Sequence, residues 1–115
     1  VVFLSSNPDK RNIYVEVKNT TWRNGDIAIF PDTVTLRGQK HLKDLMSCVP
    51  GSKSILIPCI TRTDIDFFRP GDEVDPIYGN LFRLAIRNGL IVIPCSFFFD
   101  RTHISWNRFI PIFEE

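Results

Sequence analysis

With 115 residues, 43% of them hydrophobic and 23% charged, and a net charge of +1, the chain fits one soluble globular domain around a single core. No apolar run approaches the roughly 20 residues that a bilayer-spanning helix requires, which excludes a helical membrane protein. The small net charge does not by itself advertise a nucleic-acid partner, but residues 1–53 carry a balance of +3 and residues 54–115 one of −2, so any basic face is expected in the first half.

Val1 to Leu4 and Ile13 to Asn19 read as strands, and the turn-forming segment Ser5 to Asn12 between them predicts an antiparallel hairpin. The first six residues have no basic leader and no small-residue cleavage site, so they are read as a strand rather than a signal peptide. Thr20 to Asp26, centred on Asn24-Gly25, is a polar link to a third short strand, Ile27 to Phe30, which Pro31 ends. Asp32 or Thr33 can cap a helix running to about Val49, with Val34, Gly38, Leu42, Leu45, Met46 and Val49 on one stripe and Pro50-Gly51 as the stop. Gly38 lets that helix approach a neighbour closely.

Ser54 to Ile60 predicts an interior strand, and the helix before it implies a crossover with the preceding strand, making a mixed sheet. Asp64 to Glu73 reads as an irregular loop. Pro76 opens a second helix to Asn88, closed by Gly89. Leu90 to Phe99, broken at Pro94, and Ile104 to Phe113 are the last strands, around a turn at Asp100 to His103. Cys48, Cys59 and Cys95 lack metal-ligand spacing and cannot all pair, which predicts buried thiols in a reducing compartment and a cytoplasmic address.

Within Tyr14-Val15-Glu16-Val17-Lys18-Asn19, residues two apart share a strand face, so Glu16 and Lys18 project together. A carboxylate beside a lysine suits metal-dependent phosphodiester hydrolysis, the one holding a hard cation and the other orienting water or steadying developing charge. The competing reading is an ion pair on a solvated sheet face. Arg37, Lys40, His41 and Asp44 share a helix flank and are either phosphate contacts or a solvated face with a Lys40–Asp44 pair. His41 and Cys48 share that flank without assembling a catalytic dyad. The acids Asp64, Asp66, Asp72, Glu73 and Asp75 lack the ordered spacing of a calcium loop and read as helix caps and solvated charges. Phe97-Phe98-Phe99 and Trp106 either stack on bases or cover core and sheet edge, and the latter is favoured.

Three segments carry a resemblance to a known family: Tyr14 to Asn19, Phe30-Pro31-Asp32-Thr33-Val34-Thr35-Leu36-Arg37-Gly38-Gln39-Lys40-His41-Leu42, and Asp75-Pro76 with Tyr78 to Leu81. Together they resemble the carboxy-terminal domain of the sugar fermentation stimulation protein (SfsA) family. The resemblance implies an α/β fold, a restriction-endonuclease-like mixed β-sheet flanked by helices of the PD-(D/E)xK class, with residues 1–115 as a single nuclease-like domain. It implies Glu16 as a metal ligand and catalytic residue, Lys18 as the catalytic lysine, and Mg as the cofactor. It also implies an amino-terminal OB-fold domain outside this chain, non-specific DNA binding, and a role in regulating sugar, particularly maltose, metabolism.

Two departures stand out. The family's first metal-binding Asp is expected just before Val1, and Leu36 stands where an acidic residue is expected. Three readings follow: a Mg-dependent deoxyribonuclease with Arg37, Lys40 and His41 on phosphates, a DNA-binding module that does not cut, and a scaffold in which Glu16 and Lys18 merely pair. DNA is the expected partner, membrane is not, and self-association into a homodimer is left open.

Overall fold

The computed structural model describes residues 2–4, 12–47 and 52–114. Its strands are β1 (Val2–Leu4), β2 (Ile13–Thr20), β3 (Trp22–Asn24), β4 (Ile27–Phe30), β5 (Lys53–Ile60), β6 (Phe67–Pro70), β7 (Ile91–Val92), β8 (Cys95–Phe99) and β9 (Ile104–Phe109); its helices are α1 (Leu36–Met46) and α2 (Pro76–Arg87). The main sheet runs β1-β2-β5-β8-β9, with β7 also on β5. Its inner strands are parallel, while β1 and β9 lie antiparallel at the edges, so the expected mixed sheet flanked by helices is present. The antiparallel pairing of β1 with β2 is as expected, and residues 5–11 of the turn expected between them lie outside the described residues. Ile55 opposes Ile91 and Cys59 opposes Cys95, a constant offset, so β7 and β8 are one strand interrupted at Ile93-Pro94. Proline has no N–H to give a ladder, and the break falls there.

Three expectations need correction. The crossover to β5 starts from β2, not from the strand immediately before α1: β4 lies in a second sheet, antiparallel to β3 and parallel to β6. Both edges of β4 need hydrogen-bond partners, and the expected polar link and irregular loop supply them as strands β3 and β6. Gly25, at φ 62°, makes the two-residue turn between β3 and β4. The third correction concerns Ile104 to Phe113. Strand β9 ends at Phe109, and the chain then crosses to the second sheet, where Pro111 O accepts from Phe68 N–H and Phe68 O from Phe113 N–H.

Helix α1 is capped by Thr35 rather than Asp32 or Thr33: its Oγ1 accepts from Gly38 N–H at 2.9 Å. Val34 consequently falls outside the helix and is 61% exposed, while Gly38, Gln39, Leu42 and Leu45 form the buried stripe. The helix ends at Met46, and Val49 and Cys48 lie outside the described residues. Leu45 O, one of the carbonyls a helix end leaves without an intrahelical donor, accepts from Ser54 Oγ on β5 at 2.8 Å. A Cβ on Gly38 would stand 2.7 Å from Thr35 Cγ2 and 3.2 Å from Tyr78 Cε2, so the expected close approach is real and its neighbour is α2. Helix α2 has Asp75 as its N-cap and Pro76 at its first position, and after Asn88 comes Gly89 at φ 101°.

The core lies on one side of the main sheet. Leu56 and Ile60 of β5 meet Leu42 and Leu45 of α1, Tyr78, Phe82 and Ala85 of α2, and Ala28 and Phe68 of the second sheet. Since Glu16 opposes Leu56 and Lys18 opposes Pro58, the even-numbered residues of β2 face this same helix-covered side.

Candidate functional site

The alternation of β2 decides what its charged residues meet. Glu16 is 5% exposed and its neighbour Val17, on the opposite face, 52%. The Glu16–Lys18 pair is therefore real but not solvated: α1 covers it. Lys18 Nζ lies 3.1 Å from Glu16 Oε1 and 2.7 Å from His41 Nδ1, and His41 Nδ1 lies 3.1 Å from the same carboxylate oxygen. An ammonium can only donate, so at 2.7 Å Nδ1 is the acceptor and the ring proton sits on Nε2. The close approach of His41 to Glu16 is then mediated by Lys18 protons and is not an ion pair. Burial, followed by the Lys18 charge, pushes the His41 pKa down against the pull of Glu16, which favours the neutral ring. For Glu16, burial acts to raise the pKa, but the hydrogen bond and charge of Lys18 are among the influences that outweigh it and hold the carboxyl below its ordinary value.

The helix flank divides. His41 turns inward, its side chain 16% exposed, and joins Glu16 and Lys18. Arg37 and Lys40 stay on the outside. Lys40 makes an exposed pair with Asp44 at 3.2 Å, which is worth only tenths of a kcal/mol. Arg37 has no hydrogen bond or ion pair among the described residues.

One residue of the acidic segment organises the site from behind. Asp75 is 1% exposed, and its Oδ1 accepts from Tyr78 N–H at 2.9 Å and Gln39 Nε2 at 3.0 Å, while Oδ2 accepts from Thr35 N–H at 2.9 Å. It caps α2 and tethers the start of α1, the helix that delivers His41. Burial works to raise the Asp75 pKa, and the bonds from Thr35, Tyr78 and Gln39 overcome it and hold it low. The other four acids are each held by an arginine: Asp64 by Arg62, Asp66 by Arg108, Asp72 by Arg83, and Glu73 by Arg69. Hydrogen bonding to these arginines brings Asp64 and Glu73 to about 2. The reading of this segment as caps and surface charge is thus correct. No local sequence pattern marks Thr35, Gln39 and Tyr78 as part of the site. The Asp75-Pro76 cap signal was the available clue, because a buried cap aspartate has a second oxygen to satisfy.

Phe98, Phe99 and Trp106 are 51%, 58% and 52% exposed, so these aromatics lie at the sheet margin and not in the core. Burial raises the thiol pKa values of Cys59 and Cys95, which are unpaired.

Glu16 offers the hard oxygen that a divalent cation takes, and it fits the part of a ligand. Among the described residues, however, no group of three His, Cys, Asp or Glu side chains is placed to share an ion, so they do not complete a coordination set. No helix among them is long and apolar enough to cross a membrane.

Comparison with known proteins places this geometry among relatives. The family model described as "Sugar fermentation stimulation protein RE domain" matches residues 2–103. A sugar fermentation stimulation protein homolog of Prochlorococcus marinus strain MIT 9312 is 65% identical over 108 residues, covering 94% of this chain and 44% of the relative. The homolog of strain MIT 9211 is 52% identical over 109 residues, covering 95% and 43%. The chain thus spans under half the length of these relatives. A solved structure described as "The structure of Pyrococcus Furiosus SfsA in complex with Ca2+" superimposes with a TM-score of 0.83 at 23% identity, over 90% of this chain and 46% of that one, which establishes the shared fold.

Proposed function

Because the chain belongs to the sugar fermentation stimulation protein family, we propose that it acts on the phosphodiester backbone of DNA through the site built on Glu16, Lys18 and His41. The observation that carries the reading is the meeting of these three side chains at 2.7 to 3.1 Å on the helix-covered face of a mid-sheet strand. A buried carboxylate and ammonium cost desolvation that well-packed apolar residues would avoid, so their retention together points to a chemical task.

Glu16 would hold a divalent cation, Mg in this reading, with water and ligands beyond the described residues. The family structure described with Ca2+ supports a hard divalent ion in such a fold. The ion supplies charge neutralisation at phosphate and acidifies bound water. Lys18 has three protons to donate, of which two are directed at Glu16 and His41, leaving the third for a water or a phosphate oxygen. His41, accepting at Nδ1, fixes the direction of that ammonium, and its Nε2 proton remains a donor. Arg37 and Lys40, on the outer side of the same helix, take the flanking phosphates.

A second reading keeps the DNA contact and drops the cutting. It is favoured by the lack of a complete ligand set among the described residues and by Leu36 at the helix start, 75% exposed, where the family leads one to expect an acid. In that case the domain grips DNA as a regulatory module, and the proposed link to sugar metabolism runs through binding alone. Incubation of plasmid and single-stranded DNA with the protein and Mg2+ or Mn2+ separates the two. Cleavage by wild type that is lost in Lys18→Ala, with the variant's fold retained by circular dichroism, supports hydrolysis. No cleavage by wild type, or equal cleavage by both, overturns it and leaves the binding reading.

A further inference from the structure

One buried titratable side chain beside the site has no part in the chemistry above. Tyr78 of α2 is 1% exposed. Its backbone N–H is taken by Asp75, but its hydroxyl has no hydrogen-bond partner among the described residues. A phenol set so deep usually finds one, because burying a hydroxyl without a bond is costly and phenylalanine would fill the same space without that cost. The surroundings fix where the hydroxyl end of the ring goes. The ring meets Phe30 edge-on with centroids 5.4 Å apart and stacks with Phe82 at 6.5 Å. Its Cε2, next to the carbon that carries the hydroxyl, lies 3.2 Å from where a Cβ on Gly38 would stand, so the missing side chain of Gly38 admits the phenol to α1. Gly38 and His41, three residues apart, share a side of that helix, and His41 Nδ1 is 3.1 Å from Glu16 Oε1. The hydroxyl therefore comes in one helical turn from His41, within reach of the same carboxylate. Burial first, then the charges of Glu16 and Asp75, push the Tyr78 pKa far up, so the group stays a protonated donor. Asp75 does not take that proton, since its two oxygens already accept from Tyr78 N–H, Thr35 N–H and the Gln39 amide.

We propose that Tyr78 is a positioning residue of this site, its hydroxyl donating to a water that is shared with the Glu16 carboxylate. A buried water takes about three hydrogen bonds from polar neighbours. Here Tyr78 Oη is a donor to it, Glu16 an acceptor from it, and the Lys18 proton not directed at Glu16 or His41 a second donor. The water in turn holds the carboxylate in its orientation, as the outer partners of a ligand group do. The effect on activity rests on the reading of Glu16 as the working carboxylate of a hydrolytic site; the place of the water does not.

The test is Tyr78→Phe, which removes the oxygen and keeps the ring. Crystal structures of wild type and variant, at a resolution that shows waters, are expected to hold a water within hydrogen-bond distance of Tyr78 Oη and a Glu16 oxygen in the first and to lack it in the second. A wild-type hydroxyl without that water, or the same water in the variant, overturns the proposal. Cleavage kinetics with plasmid DNA and Mg2+ then read the positioning: kcat is expected to fall roughly 10–100-fold, with KM for DNA unchanged and the melting temperature held. A variant that cuts as fast as an active wild type overturns the role. So does a fall in kcat that comes with a lowered melting temperature, since the hydroxyl then serves only the core. A wild type that does not cut sinks the hydrolytic reading instead, and the paired structures alone decide the proposal.

Discussion

Replacement of Asp75 tests how the two helices hold the site in place. Asp75→Asn keeps the size of the side chain but turns one oxygen into an NH2 donor. If that group takes the Oδ2 position, it faces the Thr35 N–H donor now bonded at 2.9 Å; if it takes Oδ1, it faces the Tyr78 N–H at 2.9 Å. Gln39 can turn its amide over to accept from the new donor, but neither backbone N–H can adapt. One hydrogen bond to a charged acceptor, worth about 1.5–3 kcal/mol, is lost, and a buried donor is left unsatisfied, so a cost of about 2–4 kcal/mol is expected. For a chain of this length that lowers the melting temperature by roughly 10 °C. Asp75→Ala strands both backbone donors and should cost about 3–5 kcal/mol.

The pH dependence has a definite sign. The Asp75 carboxyl is held below its unfolded value, so its contribution is full above about pH 4 and is lost as pH falls through the lower folded value. Urea denaturation followed by circular dichroism between pH 7 and pH 2 should show an acid limb in wild type that is reduced in Asp75→Asn. An Asn variant with an unchanged urea midpoint at pH 7, or with the same acid limb as wild type, would refute the role assigned to this residue.

Gly38→Ala places a methyl 2.7 Å from Thr35 Cγ2 and 3.2 Å from Tyr78 Cε2, so despite the better helix propensity of alanine it should destabilise by about 1–3 kcal/mol in thermal melts. Ser54→Ala removes the donor to the Leu45 carbonyl at the end of α1 and should cost about 1–2 kcal/mol, measured by the urea midpoint. Lys18→Met takes away a partner of the buried Glu16 carboxylate and should cost about 3 kcal/mol; a neutral or stabilising effect would mean that the carboxylate is better solvated than its burial implies.

What was legible in the sequence was local chemistry. Asp75-Pro76 and Gly89 marked the ends of α2 because a cap needs a side-chain oxygen and a positive φ favours glycine. Pro94 marked the interruption between β7 and β8 because it removes a ladder donor. The shared face of Glu16 and Lys18 follows from a period of two. Long-range pairing was not legible. Strand β3 is Trp22-Arg23-Asn24 and β6 ends in Pro70; neither has a strand pattern of its own, and both exist because β4 presents two open edges. Thr35 wins over Asp32 and Thr33 as the α1 cap through its backbone bond to Asp75, forty residues away. That same start turns His41 toward β2 and leaves Arg37 and Lys40 outside, a division that spacing along the helix does not reveal.

Both functional readings share the DNA backbone contact, and it is tested most directly by measuring DNA affinity across a salt series for wild type and for Arg37→Ala with Lys40→Ala. The expected result is a linear fall of log K with log salt, about 0.9 per phosphate contact, with the slope reduced by about 2 in the double variant. A salt-independent affinity, or a slope untouched by removing both cations, would contradict the account.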